Sequence, residues 1–245
     1  VAQPGHECCL RQPRGVRALG RRSRSLWRAR AAAGKGPFAA VVLLHACFGL
    51  SRNVTRDWPR FLGALGYVTL SVDSYRPRGF RACNEVRTDY SRPGTHDPVR
   101  RIVALDAYGA LDYLAAQRYV DGNRVAVMGF SSGANSINYN ILPGLARAAI
   151  GLYGRCNHLF GYSQDAMPAM QIVGERDKFA PICAQAGGAS AVEAHILPGA
   201  YHAFDNGQIR RLTADPFGNT MLYSATAVGQ ARELTEAFLA RHLAN

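Results

Sequence analysis

The chain is expected to be a single α/β domain, with a mostly parallel sheet flanked by helices on both faces. Three observations carry that expectation: apolar runs of strand length, helix-periodic stretches alternating with them, and 245 residues without an internal repeat or low-complexity linker. Ala39 to His45 is apolar throughout, with the composition of a strand buried on both faces. Val54 to Leu65 has apolar spacing suited to a helix, although Pro59 restricts where it can begin. Tyr67 to Asp73 is the next strand. Asp97-Pro98 then opens a longer helix, Asp97 as N-cap and Pro98 in its first turn, with Val99, Val103, Leu111 and Leu114 recurring at helical intervals toward Gln117. Arg124 to Phe130 is a strand, followed by a helix from Ser132 to about Leu142. Strands at Ala148 to Tyr153, Pro168 to Gly174 and Val192 to Leu197 precede a closing helix from about Ser224 to Leu243. In such a sheet, with right-handed crossovers, ligands bind beyond the carboxyl ends of the strands.

Charge is distributed unevenly. The net charge is +12, and residues 1–35 hold nine basic residues against Glu7 alone, which is +8 of that total. That segment lacks the apolar core of a signal peptide and is expected to be a basic, poorly ordered or atypical extension to a domain spanning 36–245. The arginines of the body are scattered without the aromatic interleaving that stacks bases, so nucleic acid is not expected as a partner. No stretch reaches about 18 uncharged apolar residues, so no membrane span is expected. Of six cysteines, Cys8 and Cys9 fall in the extension. Cys47 with Cys83 and Cys156 with Cys183 are candidate bridges in loops at one end of the sheet. If formed, they imply a periplasmic or secreted protein; four free thiols in a cytoplasmic one is the alternative.

The chemistry-bearing motif is Gly129-Phe130-Ser131-Ser132-Gly133, directly after a strand and before a helix. In that context it reads as a nucleophile elbow, a sharp strand-to-helix turn that lifts the serine hydroxyl clear of the sheet. With 25 glycines in 245 residues, the pattern arises by chance in roughly one such chain in ten, so the strand context decides. A serine hydroxyl is inert at neutral pH and needs a base within hydrogen-bond reach, itself oriented by an acid. The elbow sets the chain order serine, acid, histidine. Of the downstream histidines, His195 lies in a strand and His242 in the terminal helix, whereas His202 lies in a loop just past a strand end. Asp177 follows the preceding strand in a turn-rich loop; Asp165, before that strand, and Glu175, inside the same loop, are its competitors. The backbone N–H groups of Ser132 and Cys47 are the candidate donors for a developing oxyanion. His45, at a strand end, is expected to order the Cys47 loop. Each of Ser131, Asp177 and His202 has a structural alternative, as N-cap, turn residue or hydrogen-bonded loop histidine, but all three fall at strand ends in the required order.

These segments resemble the dienelactone hydrolase family of the α/β-hydrolase superfamily. The similar stretches are Val41 to Leu50, Val72 to Gly79 (Val-Asp-Ser-Tyr-Arg-Pro-Arg-Gly), Val125 to Gly133, Gly174 to Pro181 and Pro198 to Phe204, within about residues 36 to 243. The resemblance implies an α/β-hydrolase fold and a hydrolase acting on carboxylic esters or lactones through an acyl-enzyme. It implies no metal or organic cofactor and a small-molecule ester or lactone as partner; the oligomeric state is left open. Two departures stand out. The best-known members place cysteine at the nucleophile, so Ser131 points to a serine-using carboxylesterase branch, and Ala46 stands where relatives carry glycine or glutamate. The extension matches poorly to the first strands such proteins carry, so an incomplete sheet edge is expected there. Arg76, Arg78 and Arg155, with Tyr75, Tyr153 and Tyr201, are candidate substrate contacts, the arginines for a carboxylate. The alternative is that these arginines are solvated or pair with Asp73 and Glu85. For the whole chain, the alternative is a non-catalytic α/β-hydrolase-like binding protein.

Overall fold

The structure, a computed structural model, describes residues 27–30, 36–86, 97–140, 146–156, 167–186 and 192–244. The apolar runs form one sheet of strands β1 (Trp27–Arg30), β2 (Phe38–Leu44), β3 (Val68–Val72), β4 (Val120–Phe130), β5 (Ala148–Leu152), β6 (Ala169–Gly174) and β7 (Val192–Leu197). Their spatial order is β1-β3-β2-β4-β5-β6-β7, with β1 antiparallel to β3 and every other neighbour parallel. The helices are α1 (Trp58–Ala64), α2 (Asp97–Ala115), α3 (Ser132–Asn140), α4 (Ala180–Ala186) and α5 (Ala225–His242), and a small hairpin of β8 (Thr213–Ala214) and β9 (Thr220–Met221) stands outside the sheet.

Strand alternation explains why β2 is apolar at every position. Ala40, Val42 and Leu44 face one core, with Val103, Ala107 and Leu111 of α2. Val41 and Leu43 face the other, with Trp58 and Leu62 of α1 and Phe238 and Leu239 of α5. Each fully buried valine or leucine contributes about 1.5–3 kcal/mol, so the centre of the sheet is a rigid base for the loops at its carboxyl ends.

Four differences from the sequence expectations have local causes. Residues 27–30, assigned above to the basic extension, form edge strand β1, paired from Trp27↔Val72 to Arg30↔Thr69; alternation of Arg28 and Arg30 with Trp27 and Ala29 suits an edge, and composition alone concealed it. The sheet edge beside β3 is therefore occupied. The rest of residues 1–35, with Cys8 and Cys9, lies outside the described residues. β4 begins at Val120 rather than Arg124, because Asp121-Gly122-Asn123 reads as a turn yet continues the strand past an irregularity opposite Phe38 and Ala40. The first helical segment is divided: a wide turn over Asn53–Asp57 precedes α1, where Pro59 lacks the N–H that would continue an α-helical ladder. Neither α4 nor the β8–β9 hairpin was expected, both being too short to show a period.

Candidate active site

The carboxyl ends of β2, β4, β5, β6 and β7 each deliver a loop to one cleft. Ser131 leaves β4 with φ of 51°, in the left-handed region, while its own N–H remains bonded to Leu152 O at 2.9 Å. That conformation is strained for a residue with a side chain, and the two flanking glycines permit it. A Cβ on Gly129 would meet Ala134 N at 2.5 Å, and one on Gly133 would collide with the carbonyl oxygens of Leu44 and His45. The turn can therefore close only with glycine at both places.

His202 Nε2 lies 2.9 Å from Ser131 Oγ, and His202 Nδ1 lies 2.6 Å from Asp177 Oδ2. A carboxylate oxygen only accepts, so Nδ1 carries the proton and the Nε2 lone pair faces the hydroxyl. Asp177 is held in turn: its Oδ1 accepts from Phe179 N–H at 3.0 Å, and its own N–H donates to Gly174 O at 3.0 Å. His202 and Asp177 are 2% and 3% exposed, so this chain of bonds is shielded from water while Ser131 opens to the cleft. The competitors lie elsewhere. Glu175 is exposed and accepts from Gly199 N–H, His195 neighbours Glu193 on β7, and His242 ends α5 beside Phe238. Asp165 lies outside the described residues.

Beside Ser131, the amide of Ser132 opens α3, where first-turn N–H groups have no intrahelical acceptor. Cys47 borders the same cleft and is fixed from several directions. It is disulfide-bonded to Cys83, its carbonyl accepts from Cys83 N–H at 2.8 Å, and the neighbouring Ala46 carbonyl accepts from Gly49 N–H and from His45 Nδ1. His45 is fully buried, accepts from Ser74 N–H through Nε2 at 3.1 Å, and packs edge-on to Tyr75 at 4.4 Å. Burial pushes its pKa below the usual 6.5. His45 thus ties the ends of β2 and β3 together, its two ring nitrogens bonded to Ala46 and Ser74 rather than to Ser131. The second disulfide, Cys156–Cys183, links the loop after β5 to α4.

Of the proposed substrate contacts, the structure brings Tyr153 and Arg155 to the cleft. Arg155 stacks on Phe179, its guanidinium carbon 5.3 Å from the ring centroid. Tyr153 presents its ring, since its hydroxyl donates to Asp205. Arg76, Arg78, Tyr75 and Tyr201 do not border the cleft. Arg78 is a bidentate partner of Asp106 on α2 at 2.7 and 2.8 Å and also bonds Ser74 O. Arg76 is solvated at 68% side-chain exposure, 3.8 Å from Asp73. Asp73 Oδ1 accepts the N–H groups of Tyr75 and Arg76 and so fixes a turn at the start of the loop after β3, before that loop reaches the cleft at Cys83.

Several groups at the site carry no short-range sequence signal. Lys178 Nζ donates to Phe217 O at 2.5 Å and so ties the Asp177 loop to the β8–β9 hairpin, whose Phe217 reaches across to Phe48 at 6.4 Å. Thr220 O accepts from the His202 N–H at 3.1 Å. Asp205 is buried and holds Tyr153, whose ring packs on His202.

A mostly parallel sheet between two helical layers, with a serine elbow at the end of β4, defines an α/β-hydrolase fold. The chain belongs to the dienelactone hydrolase family, whose signature it matches over residues 27–243, and is therefore of a hydrolase family. Solved structures agree in fold. A dienelactone hydrolase from Anabaena variabilis is 19% identical with a TM-score of 0.63, covering 89% of this chain and 91% of its own. A dienelactone hydrolase-like promiscuous phosphotriesterase from metagenomic libraries is 19% identical with a TM-score of 0.59, over 89% and 99%. A thermostable carboxylesterase from a metagenomic library is 18% identical with a TM-score of 0.57, over 89% and 85%. No sequence among curated proteins matches the chain. Among the described residues, no helix is long and apolar enough to cross a membrane.

Proposed function

We propose that the protein is a serine hydrolase that cleaves carboxylic esters or lactones through an acyl-enzyme. The observation that carries this reading is the continuous Ser131–His202–Asp177 hydrogen-bond chain, at 2.9 and 2.6 Å, with Ser131 and His202 lining a cleft that Asp177 does not border. In the first half-reaction Ser131 Oγ attacks the ester carbonyl while its proton passes to His202 Nε2. Asp177 holds the imidazole in the reactive tautomer and stabilises the imidazolium. The amides of Cys47 and Ser132 receive the oxyanion, and His202 returns the proton to the leaving alcohol. Water, deprotonated by His202, then attacks the acyl carbonyl; the acyl–Oγ bond breaks, the acid leaves and His202 returns the proton to Ser131 Oγ.

The cleft is mainly apolar, with Phe48, Val99, Phe179, Ile209 and Met221 around the reacting centre, which suits an uncharged ester body. Arg155 is the candidate partner for a substrate carboxylate, and Tyr153 offers it only a ring face. The two disulfides support an oxidising compartment, and we propose a periplasmic or secreted protein. The direct test is Ser131→Ala with a p-nitrophenyl ester. Turnover is expected to vanish with the thermal midpoint unchanged; retained turnover would remove Ser131 from the reaction.

A further inference from the structure

Behind the base lies a second buried carboxylate that the triad does not use. Asp205 follows His202 by three residues, in a loop where Ala203 takes a left-handed φ of 53°, and it is 5% exposed. Both its oxygens accept. Oδ2 takes Asn53 Nδ2–H at 2.8 Å and Trp58 Nε1–H at 2.7 Å, and Oδ1 takes the Tyr153 hydroxyl at 2.8 Å. One side chain thus joins the base loop to the segment after β2, to α1 and to the end of β5. Tyr153 itself holds φ of 43°, a conformation a bulky residue keeps only where its surroundings over-determine it. Its ring stands 4.8 Å from the His202 imidazole, in edge-to-face contact.

A buried carboxylate is a poor device for stability alone. Burial raises its pKa, the three donors only oppose that shift, and well-packed apolar groups commonly serve a core as well or better. What the carboxylate adds here is direction: its acceptors fix the loop carrying His202 and the ring against which His202 stands. We propose that Asp205 is a positioning residue for the general base, holding the His202 imidazole in line with Ser131 Oγ through the Tyr153 ring and through its own loop. The inference rests on the serine-hydrolase reading above.

The test compares the wild-type protein with Asp205→Ala and Asp205→Asn. It uses p-nitrophenyl acetate kinetics and the rate of labelling by a fluorophosphonate, at a temperature well below each thermal midpoint. Asparagine keeps an accepting oxygen for Asn53 and Trp58, and its NH2 can donate to the Tyr153 hydroxyl, which both donates and accepts. Small misplacements of a reacting group cost on the order of 10²-fold in rate. Asp205→Ala is therefore expected to lower kcat by about that factor with KM within about twofold, and to slow labelling in parallel, whereas Asp205→Asn recovers kcat to within about fivefold. If Asp205→Ala does not fold, Tyr153→Phe replaces it: the ring stays, its anchor is lost, and kcat is expected to fall roughly tenfold at unchanged KM. Wild-type kcat in the folded variant, or a change confined to KM, overturns the positioning role and leaves the hydrolase reading intact. A wild-type protein that neither turns over the ester nor takes the label overturns that reading, and the positioning role with it.

Discussion

On one wall of the cleft, formed by the loops after β2 and β3, the proposed chemistry is carried by backbone. Cys47 borders the cleft there, and carbonyls and a disulfide pin its loop, through Cys83 at one side and His45 at the other. On the other wall, formed by the loops after β5, β6 and β7, the proposed chemistry is carried by side chains, and buried carboxylates do the pinning: Asp177 on the imidazole and Asp205 on the ring beside it. The difference follows from what each wall supplies in the proposed reaction. An oxyanion donor needs only a fixed peptide plane, which loop closure provides, whereas a base needs its ring rotation set, which only a directed side-chain acceptor provides.

Substitutions can separate the two kinds of organisation. Asp177→Asn removes the acceptor that selects the reactive tautomer, and kcat is expected to fall by about 10⁴-fold with the thermal midpoint little changed; ester kinetics beside a melting curve check this. Cys83→Ser should act more mildly, releasing the Cys47 loop and lowering kcat by roughly tenfold, a fraction of the loss expected for a wholly missing donor. Cys183→Ser, on the other wall, is expected to lower stability by about 2–4 kcal/mol and to leave kcat within about threefold. Equal kinetic losses from the two cysteine variants would erase the distinction between the walls.

The smallest expected effect is a dependence on pH. His45 is buried neutral, donating through Nδ1 and accepting through Nε2. Its folded pKa lies below the unfolded 6.5. Its stabilising contribution is therefore complete above pH 6.5 and is lost as pH falls through the folded value, where protonated Nε2 would confront the Ser74 N–H. The thermal midpoint should decline below pH 6.5, and His45→Asn, which keeps a donor toward Ala46 O, should flatten part of that decline. An unchanged slope in the variant would show that His45 does not titrate with folding.

The wall that carries side chains was the easier to read from sequence, yet only in part. Ser131, Asp177 and His202 declare themselves because the elbow is a local motif and the other two must follow later strands in order. Asp205 is as close to His202 in sequence as a residue in the same loop can be, and it still gave no signal, because its partners Asn53 and Trp58 lie 152 and 147 residues away. Arg78 misled for a related reason. Its loop does begin at the carboxyl end of β3, but Asp106 on α2, 28 residues on, captures the guanidinium. The sheet was legible wherever burial on both faces made an apolar run. It was missed at Trp27–Arg30, where an edge strand carries basic residues and reads as part of a charged extension.

The proposed reaction requires Ser131 to be an activated nucleophile, and covalent labelling of the intact protein by a fluorophosphonate, followed by peptide mass mapping, measures that directly. A single adduct on Ser131, absent after His202→Ala, is the predicted result. An unlabelled protein, or an adduct on another residue, would contradict it.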